Sequence, residues 1–454
     1  MAIGVGLLGL GTVGAGVAAI LTSPEGRHPL VGSLALRRVA VRDLSRPRPL
    51  ALPAGVVGCD AEAVVDDPAV DIVVEVMGGL EPARSLILRA IHAGKSVVTA
   101  NKAVIARHGE EIASAAAARG VYVLIEAAVG GGIPIIEPLK QSLGGNRIRR
   151  VSGIINGTTN YILSRMADEG AAYAEVLADA QRLGYAEADP AADVQGGDAA
   201  DKIAILAGLA YGGSVPRAGI ATEGIDRLES RDIDYAARLG YVVKLLAVAE
   251  RVELQADAAA DPQATASPAS DATLPLDVRV HPTLLPRQHP LAGVHGVNNA
   301  ILVEGDPVGQ VMFFGPGAGA GPTASAVVAD ILNIAGIRQV GNGGLDPLLA
   351  ASRWRCCQLV EPALTRHRNY VRLLTRDEPG VIGRIGTCFG QAGVSIQSIV
   401  QYEGLDLPHR DDEAGPAEIV VITHEVRESA FRQALEAIGA LREVDAIAAC
   451  LRTL

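Results

Sequence analysis

Residues 3–21, IGVGLLGLGTVGAGVAAIL, constrain the fold more than any other stretch of the sequence. An apolar run at Ile3–Leu8 leads into a Gly-x-Gly-x-x-Gly motif and then into small residues with helical character. Gly9 permits a tight turn, Gly11 lets a pyrophosphate approach the backbone, and Gly14 lets the helix pack closely on the strand. The motif predicts the first strand–turn–helix unit of a dinucleotide-binding domain; a glycine-rich turn without a ligand is the alternative.

Further strand-like stretches alternate with helix-like ones up to residue 130. They read ALRRVAVRD (35–43), DIVVEVMGG (71–79), SVVTANKA (96–103) and VYVLIEAAV (121–129). Strands separated by helices predict a parallel, doubly wound sheet, so the fold class is α/β. The composition fits a soluble protein of this class, because 49% of the 454 residues are hydrophobic and only 3% are aromatic.

The residues after the second predicted strand bear on the choice of dinucleotide. An NAD-binding domain usually places an acid there, which binds the ribose 2′-OH. In this chain Arg42 comes first and Asp43 follows. A guanidinium suits a 2′-phosphate, so we expect NADP, with NAD left open by Asp43. The alternative is that Arg42 is a surface charge.

Two further blocks follow this predicted Rossmann domain of residues 1–130. Residues 131–312 are expected to form an α/β domain for substrate binding and dimerisation, and the glycine-rich segment 313–335 is expected to pack back on the first domain. The low-complexity stretch 256–275 is expected to be a disordered insertion, because it lacks bulky apolar residues.

The C-terminal part is expected to be a separate small domain. A connector at 336–366 leads into residues 367–454, in which strands and helices follow the order strand, helix, strand, strand, helix, strand. This order is typical of a ferredoxin-like fold.

Composition and charge exclude several classes of protein. The net charge of −11 and the lack of a Lys/Arg run argue against a nucleic-acid partner. Five scattered cysteines without a CxxC pair argue against a disulfide framework or a zinc site and favour a reducing compartment. No apolar run reaches the length of about eighteen residues that a bilayer requires, so we expect no membrane association and a cytoplasmic location.

The acidic stretch 187–202, EADPAADVQGGDAADK, runs directly into the apolar helical pattern IAILAGLAYG. Asp198 and Lys202 are spaced four residues apart, so they face each other on one side of the predicted helix. An ordinary surface pair at this spacing contributes only about 0.3–0.5 kcal/mol. A contribution of this size does not explain why a lysine lies at the start of a buried helix.

Seven stretches in collinear order resemble the homoserine dehydrogenase family. They are GLGTVG, VTANKA, EAAVGGGIPII, NGTTNYIL, GYAEADPAADVQGGDAADK, VHPTLLP and GAGAGPTAS, within about the first 335 residues. The C-terminal unit is similar to an ACT domain, a more widespread pattern. No aspartate kinase region precedes residue 1, so we expect the monofunctional form with a C-terminal ACT domain.

The resemblance implies a reversible, NAD(P)-dependent interconversion of L-aspartate 4-semialdehyde and L-homoserine, on the route to threonine, isoleucine and methionine. Two other readings stay open. A nucleotide sensor without catalysis would be expected to carry a degenerate acidic stretch. Another ACT-bearing dehydrogenase, acting on a 2-hydroxy acid, would place a substrate domain before its glycine loop and would use a His-Glu relay.

The resemblance also assigns the site residues. Lys202 is the expected proton donor to the carbonyl; Lys102 is the second lysine, and which of the two transfers the proton stays open. A neighbouring lysine or desolvation would lower the pKa of Lys202 towards neutrality. The expected substrate-binding residues are Glu187, Asp193, Asp198, Tyr185 and Thr158. The expected cofactor-binding residues are Gly9, Leu10, Gly11, Thr12, Val13, Gly14, Arg42, Met77, Lys102, Gly184, Gly317 and Gly319.

Two further ligands follow from the resemblance. The residues matching a monovalent cation site, with Na⁺ the expected ion, are Glu126, Val129, Gly131 and Ile133; a turn between two domains is the alternative reading. The ACT-like unit is expected to bind threonine near Asp377 and Gly393, and the alternative is a dimerisation module without a ligand. We expect a homodimer or a higher homo-oligomer.

Overall fold

The computed structural model describes residues 2–48, 50–253, 273–341, 345–346, 349–350, 357–403 and 416–454. The insertion expected at 256–275 lies outside these ranges up to residue 272, so its disorder stays a prediction there. Its last two residues are ordered, because a long strand begins at Leu274. Leu274 and Pro275 pair with Cys357 and Gln358, and from Leu276 onwards the strand pairs with the one before the insertion.

Six parallel strands form the first sheet, which confirms the predicted doubly wound α/β fold. They are β1 Ile3–Leu8, β2 Leu34–Ala40, β3 Val57–Gly58, β4 Ile72–Glu75, β5 Ser96–Thr99 and β6 Val123–Leu124, in the order β3-β2-β1-β4-β5-β6. The connecting helices are α1 Thr12–Thr22, α2 Ala61–Asp66, α3 Ala83–His92 and α4 Lys102–Arg119. Apolar side chains form one core on each face of the sheet.

Two predicted strands are shorter than the sequence suggested. The stretch 121–129 contributes only β6, and a 3-10 turn follows at Glu126–Ala128. The stretch 96–103 ends as a strand at Thr99, because the Asn101 side chain accepts a hydrogen bond from the Val104 N–H at 3.2 Å and starts α4. Lys102 therefore lies in the first turn of a helix.

The second domain combines an antiparallel sheet with a layer of helices. Its elements are α5 Ile136–Lys140, β7 Arg147–Ile154, α6 Gly157–Glu169, α7 Tyr173–Arg182, α8 Ala191–Val194, α9 Gly197–Tyr211, β8 Ala221–Thr222, α10 Ser230–Arg238, β9 Tyr241–Arg251, β10 Leu274–Pro286, β11 Asn298–Asp306 and β12 Gly309–Pro316. Helix α9 packs on β7, β9 and β10 and is buried along most of its length. Because it is buried, the side chains of its first turn are fixed relative to the sheet.

Helix α11 (Ala320–Val340) returns to the first domain and packs on α1. A Cβ at Gly16 of α1 would lie 2.6 Å from the Ala320 carbonyl oxygen, so the close approach requires glycine there. Among the residues that the structure describes, α11 is the one helix long and apolar enough to cross a membrane. Half of its most apolar window is buried in the protein, as expected for a core helix.

The C-terminal unit has the predicted ferredoxin-like order. Its elements are β13 Cys357–Leu359, β14 Arg366–Arg376, α12 Val381–Gln391, β15 Ile396–Glu403, β16 Pro416–Thr423, β17 Val426–Arg427, α13 Glu428–Gly439 and β18 Val444–Thr453. Its sheet is not separate, because β18 pairs in parallel with β10 at Thr283 and Leu284. One sheet therefore runs through both domains in the order β12-β11-β7-β9-β10-β18-β14-β16-β15.

A buried ion-pair network fastens the C-terminal unit to the second domain. Arg372 on β14 is 1% exposed. Its guanidinium donates to Asp232 of α10 at 2.7 Å and to Glu229 at 2.8 Å, and it lies 3.5 Å from Glu418 of β16. Tyr235 of α10 also donates a hydrogen bond to Glu418. Removing Arg372 would leave the buried Asp232 without an ion-pair partner among the described residues, whereas Glu418 would keep its ion pair with Arg231 at 2.8 Å.

Candidate functional site

The glycine motif has the geometry that a dinucleotide needs. Gly9 follows β1 with φ of +104°, in the region that favours glycine, and a Cβ at Gly14 would lie 2.2 Å from the Gly9 carbonyl oxygen. A Cβ at Gly11 would meet nothing within 4 Å, so this position faces open space. Helix α1 begins at Thr12 without a side-chain cap, which leaves its first N–H groups free for a phosphate. The loop therefore fits a pyrophosphate.

The other residues expected near the coenzyme line the same end of the first sheet. Leu10 and Val13 lie within the motif, and Met77 follows β4, where a Cβ on Gly9 would come within 3.3 Å of its Cγ. The Met77 N–H donates to the buried Glu75 carboxylate at 2.8 Å, which fixes the backbone of this loop. Ligands bind at this carboxyl end of a doubly wound sheet.

The two charged residues after β2, Arg42 and Asp43, differ in whether their side chains are held by hydrogen bonds. The Asp43 carboxylate accepts hydrogen bonds from the Ser45 N–H at 2.8 Å and from its hydroxyl at 2.6 Å. These bonds to Ser45 lower the pKa of Asp43 and hold the side chain in a local turn. Arg42 is exposed, and no hydrogen bond or ion pair of its side chain is seen within the described ranges. The guanidinium is therefore the more available of the two.

Gly317 has a packing reason to be glycine, beside its expected role at the coenzyme. A Cβ there would lie 2.0 Å from the Asn299 amide nitrogen, and a Cβ at Gly131 would lie 2.3 Å from the Gly317 carbonyl oxygen. The Asn299 amide is buried and finds no hydrogen-bond partner in the part of the chain that the structure describes. Gly319, with φ of +125°, precedes α11. The loop thus links the two domains beside the expected cofactor.

Asp198 lies between the two lysines that the sequence singled out. In the first turn of α9 it is 7% exposed, and Lys202, one turn later, is 8% exposed. The Lys202 ammonium donates to Asp198 at 2.7 Å and to the Ile155 carbonyl oxygen at 2.6 Å. Lys102, at the start of α4, forms an ion pair with the other Asp198 oxygen. One carboxylate therefore joins the first domain to the second.

The electrostatics of this cluster favour the charged forms of Lys102 and Asp198. Burial alone would raise the pKa of Asp198, but the ammonium groups of Lys202 and Lys102 outweigh it and hold that pKa well below its usual range. Burial would lower the pKa of Lys102, yet the Asp198 charge outweighs it and raises that pKa. Because Asp198 lies between the two ammonium groups, its negative charge screens each lysine from the charge of the other.

Sequence reasoning missed Asn156, which organises the carboxylates of the site. Its amide N–H groups donate to Asp193 at 2.7 Å and to Asp198 at 2.9 Å. Its oxygen caps α6 by accepting from the Thr159 N–H at 2.9 Å and from the Thr159 hydroxyl. The helix cap fixes the orientation of the amide and hence of both acids. The signal was the N-cap position in NGTT, which predicts a cap but not its second function.

A second set of charges ties α9 to α4. Asp201, directly before Lys202, is 7% exposed. It accepts from Arg217 at 2.7 Å and from Arg107 of α4 at 3.2 Å. These pairs hold the helix with Lys202 against the helix with Lys102. Sequence reasoning did not find them either, because the three residues are far apart in the chain.

The other residues expected to contact substrate lie on α6 and in the segment between α7 and α8. The Thr158 hydroxyl donates to the Tyr185 carbonyl oxygen at 2.7 Å, and the Tyr185 ring packs 5.0 Å from that of Tyr161. Glu187 and Gly184 are exposed. Within the described ranges the Glu187 carboxylate has no hydrogen bond or ion pair, so the structure does not bring it to the lysine cluster.

The residues expected to hold a cation lie in the hinge after β6. The Glu126 carboxylate accepts from three backbone N–H groups at the start of α5, those of Ile135 at 2.6 Å, Ile136 at 2.9 Å and Glu137 at 2.8 Å. Both of its oxygens are engaged, so this side chain acts first as a helix cap. Gly131 has φ of +57°, and Val129 and Ile133 are buried.

A buried acid of α11 completes the hinge. Asp330 accepts from the Glu126 N–H at 2.8 Å, and its second oxygen has no hydrogen-bond partner among the described residues. Burial raises the pKa of Asp330 well above its usual range, and the nearby Glu126 charge adds to the effect. Carboxylate oxygens of Glu126, Glu137 and Asp330 lie within 4.8 Å of one another. Three carboxyl groups therefore lie close together at this hinge.

Comparison with known proteins gives matches along the whole chain. The family model described as "Homoserine dehydrogenase" matches residues 134–332, "Homoserine dehydrogenase, NAD binding domain" matches 9–126, and "ACT domain" matches 369–443. A curated homoserine dehydrogenase of Synechocystis sp. is 56% identical over 458 residues, which cover 100% of both chains.

Solved structures show the same likeness. A homoserine dehydrogenase from Thiobacillus denitrificans is 40% identical with a TM-score of 0.87, covering 100% of this chain and 98% of its own. A hyperthermophilic archaeal homoserine dehydrogenase in complex with NADPH is 26% identical with a TM-score of 0.59, covering 74% of this chain and 98% of its own.

Proposed function

The chain belongs to the homoserine dehydrogenase family, NAD(P)-dependent oxidoreductases that act on a CH–OH group, and from this premise we propose how its residues work. The reaction interconverts L-aspartate 4-semialdehyde and L-homoserine. The observation that carries the proposal is the Lys102–Asp198–Lys202 cluster where the two domains meet, in which Asp198 and Lys202 are buried. The test follows nicotinamide absorbance with homoserine at alkaline pH, in the native chain and in variants of this cluster.

We propose that Lys202 supplies the proton. When bound, the nicotinamide coenzyme supplies or accepts the hydride, and the aldehyde oxygen becomes an alkoxide that needs a nearby acid. An ammonium has three N–H donors, and Lys202 uses two of them on Asp198 and Ile155. The third remains for the substrate oxygen. In the oxidative direction the neutral amine takes the hydroxyl proton, which explains the use of alkaline pH in the assay.

The remaining acids of the site suit the amino end of the substrate. Burial raises the pKa of Asp193, while its hydrogen bond from Asn156 opposes this rise. We propose that Asn156 positions Asp193 beside the substrate ammonium and Asp198 beside the lysines. Glu187 and Tyr185 lie in the segment between α7 and α8, and Glu187 is free to bind the ammonium as the domains close on the substrate.

The coenzyme preference gives the first prediction. We expect Arg42→Ala to raise the KM for NADP by about 10-fold to 100-fold, the loss of one or two charge-assisted hydrogen bonds, and to change the KM for NAD by less than about threefold. Initial rates with both coenzymes at fixed homoserine measure this ratio. Arg37→Ala is the matched control, because Arg37 is an exposed arginine of β2, the strand that precedes Arg42. Equal losses with NADP and NAD would exclude a role at the 2′-phosphate.

A monovalent cation is proposed for the hinge. Backbone carbonyl groups of Val129, Gly131 and Ile133 would supply the oxygen ligands that a hard ion such as Na⁺ prefers. The left-handed conformation of Gly131 and the acidic residues nearby support this proposal. The ion would stiffen the hinge and take no part in the chemistry.

The ACT domain gives the second prediction. We propose that threonine binds near Asp377 and Gly393, which flank α12 in the structure, and that it inhibits the enzyme. We expect 10 mM threonine to lower the initial rate by at least about threefold in the native chain, and Asp377→Ala to remove most of this inhibition. Asp445→Ala, an exposed acid of the same domain, is the control. Full inhibition of the Asp377 variant would contradict the assignment.

A homodimer is proposed from the second sheet. Strand β12 lies at its edge and exposes Met312 and Phe314, which are 41% and 55% accessible. An unpaired edge with apolar side chains is a natural surface for a second copy. Cys59, Cys388 and Cys450 are free thiols, which supports the expected reducing, cytoplasmic location.

A further inference from the structure

A cleft lies between the second domain and the C-terminal unit. It has a volume of about 960 Å³, and we call it the interdomain cleft. One wall is formed by α8, the start of α9 and residues 217–228, and the other by residues 447–451 of β18 in the ACT domain. Its volume lies within the range of about 300–1,000 Å³ of small-molecule sites. Neither Asp377 nor Gly393 lines it.

The lining is charged on one side and apolar on the other. Residues 217–228 contribute two arginines, Arg217 and Arg227, and two acids, Glu223 and Asp226. Strand β18 presents Ile447 and small apolar residues. The two acids would repel a simple anion, and the charged wall is unfavourable for a hydrocarbon. A small zwitterion with an apolar side chain satisfies both walls.

One lining residue is connected to the catalytic helix. The Arg217 guanidinium donates to Asp201 at 2.7 Å and to the Gly197 carbonyl oxygen at 3.2 Å. Asp201 directly precedes Lys202, and its second oxygen accepts from Arg107 on the helix of Lys102. The Arg217 side chain is 23% exposed, so a ligand carboxylate in the cleft can reach it. A ligand that draws Arg217 away would loosen the first turn of α9.

We propose that the interdomain cleft binds a free α-amino acid with an apolar side chain and that its occupation slows turnover. The carboxylate would pair with the arginines, the ammonium with Glu223 or Asp226, and the side chain would pack on β18. This site is separate from the proposed threonine site, and its existence does not depend on that proposal.

The test measures binding first and activity second. The probes are L-valine, L-leucine and L-methionine, titrated up to 10 mM by calorimetry into the native full-length chain. Isoamylamine, which lacks the carboxylate, and 2-hydroxyisocaproate, which lacks the ammonium, are the chemical controls. We expect at least one amino acid to bind once per chain and to lower kcat at least twofold, and both controls to bind at least tenfold more weakly.

Three variants locate the site. Ala448→Trp fills the cleft from β18, and Arg227→Glu reverses an exposed charge at its edge; both should weaken binding at least tenfold. Coenzyme binding by calorimetry reports that each variant is folded. Asp377→Ala should bind the amino acid normally. Absence of binding by all three probes, unchanged binding in Ala448→Trp, or binding lost in Asp377→Ala would each overturn the proposal, and binding without a change in kcat would overturn the coupling to α9.

Discussion

Replacing Lys202 with methionine lowers kcat by about 10³-fold, within the range by which a positioned proton donor contributes. The methionine side chain has a similar length and fills the same buried space, but it cannot protonate the alkoxide. Asp198 keeps its ion pair with Lys102, so the carboxylate is not left without a cation. The affinity for NADP, measured by calorimetry, should stay within about twofold of the native value because the glycine loop is untouched.

Lys95→Met is the matched control for this change. Lys95 is 8% exposed, like Lys202, and donates to a backbone carbonyl group of the first domain far from α9. Its loss should change stability and leave kcat within about twofold. A Lys202 variant that retains more than a tenth of the native kcat would contradict the assignment. In that case the same replacement at Lys102 should remove turnover, and Lys102 would be the donor.

Replacing Arg372 with methionine lowers the free energy of unfolding by about 3–5 kcal/mol, as is usual when one partner of a buried ion pair is removed. The change leaves Asp232, which is 0% exposed, without its cation, while Glu418, which is 1% exposed, keeps its ion pair with Arg231. Urea denaturation followed by circular dichroism measures the loss. Arg366→Met is the control, because this residue lies on the same strand and forms only an exposed pair with Glu425.

The loss in the Arg372 variant should depend on pH. Burial already raises the pKa of Asp232 in the native chain, and Arg372 opposes that rise. Without Arg372 the folded-state pKa rises further above the unfolded value of about 3.9, so the folded state keeps its proton more tightly. Stability of the variant therefore falls as pH rises through this window. We expect a smaller loss at pH 5 than at pH 8; an equal loss at both would show that packing, and not charge, dominates.

Features that depend on neighbouring residues were predictable from the sequence. The turn at Gly9, the apolar strand before it and the helix after it are decided within about a dozen residues, and the structure has them in place. The spacing of Asp198 and Lys202 likewise placed both on one face of a helix. The ferredoxin-like order of the C-terminal unit followed from the alternation of its strands and helices.

Features that depend on distant residues were not predictable in this way. Asn156 is recognisable as a helix cap, but its bonds to Asp193 and Asp198 arise only when three segments meet. The hydrogen bonds by which the Glu126 carboxylate caps the next helix, nine residues on, left no signal in the sequence, and its expected role as a cation ligand stays a prediction. The pairing of β10 with β18 joins segments about 170 residues apart and leaves no local pattern.

The shared sheet determines whether the C-terminal unit can be separated from the rest of the chain. Beyond β9, the other edge of β10 is covered in succession by β13, β8 and β18, and two of these strands come from the C-terminal part of the chain. Cutting the chain before β13 would expose unpaired N–H and C=O groups of β10, with which strands of other copies could pair. The C-terminal unit therefore cannot be removed without exposing this edge, and the backbone hydrogen bonds between β10 and β18 couple its position to that of the second domain.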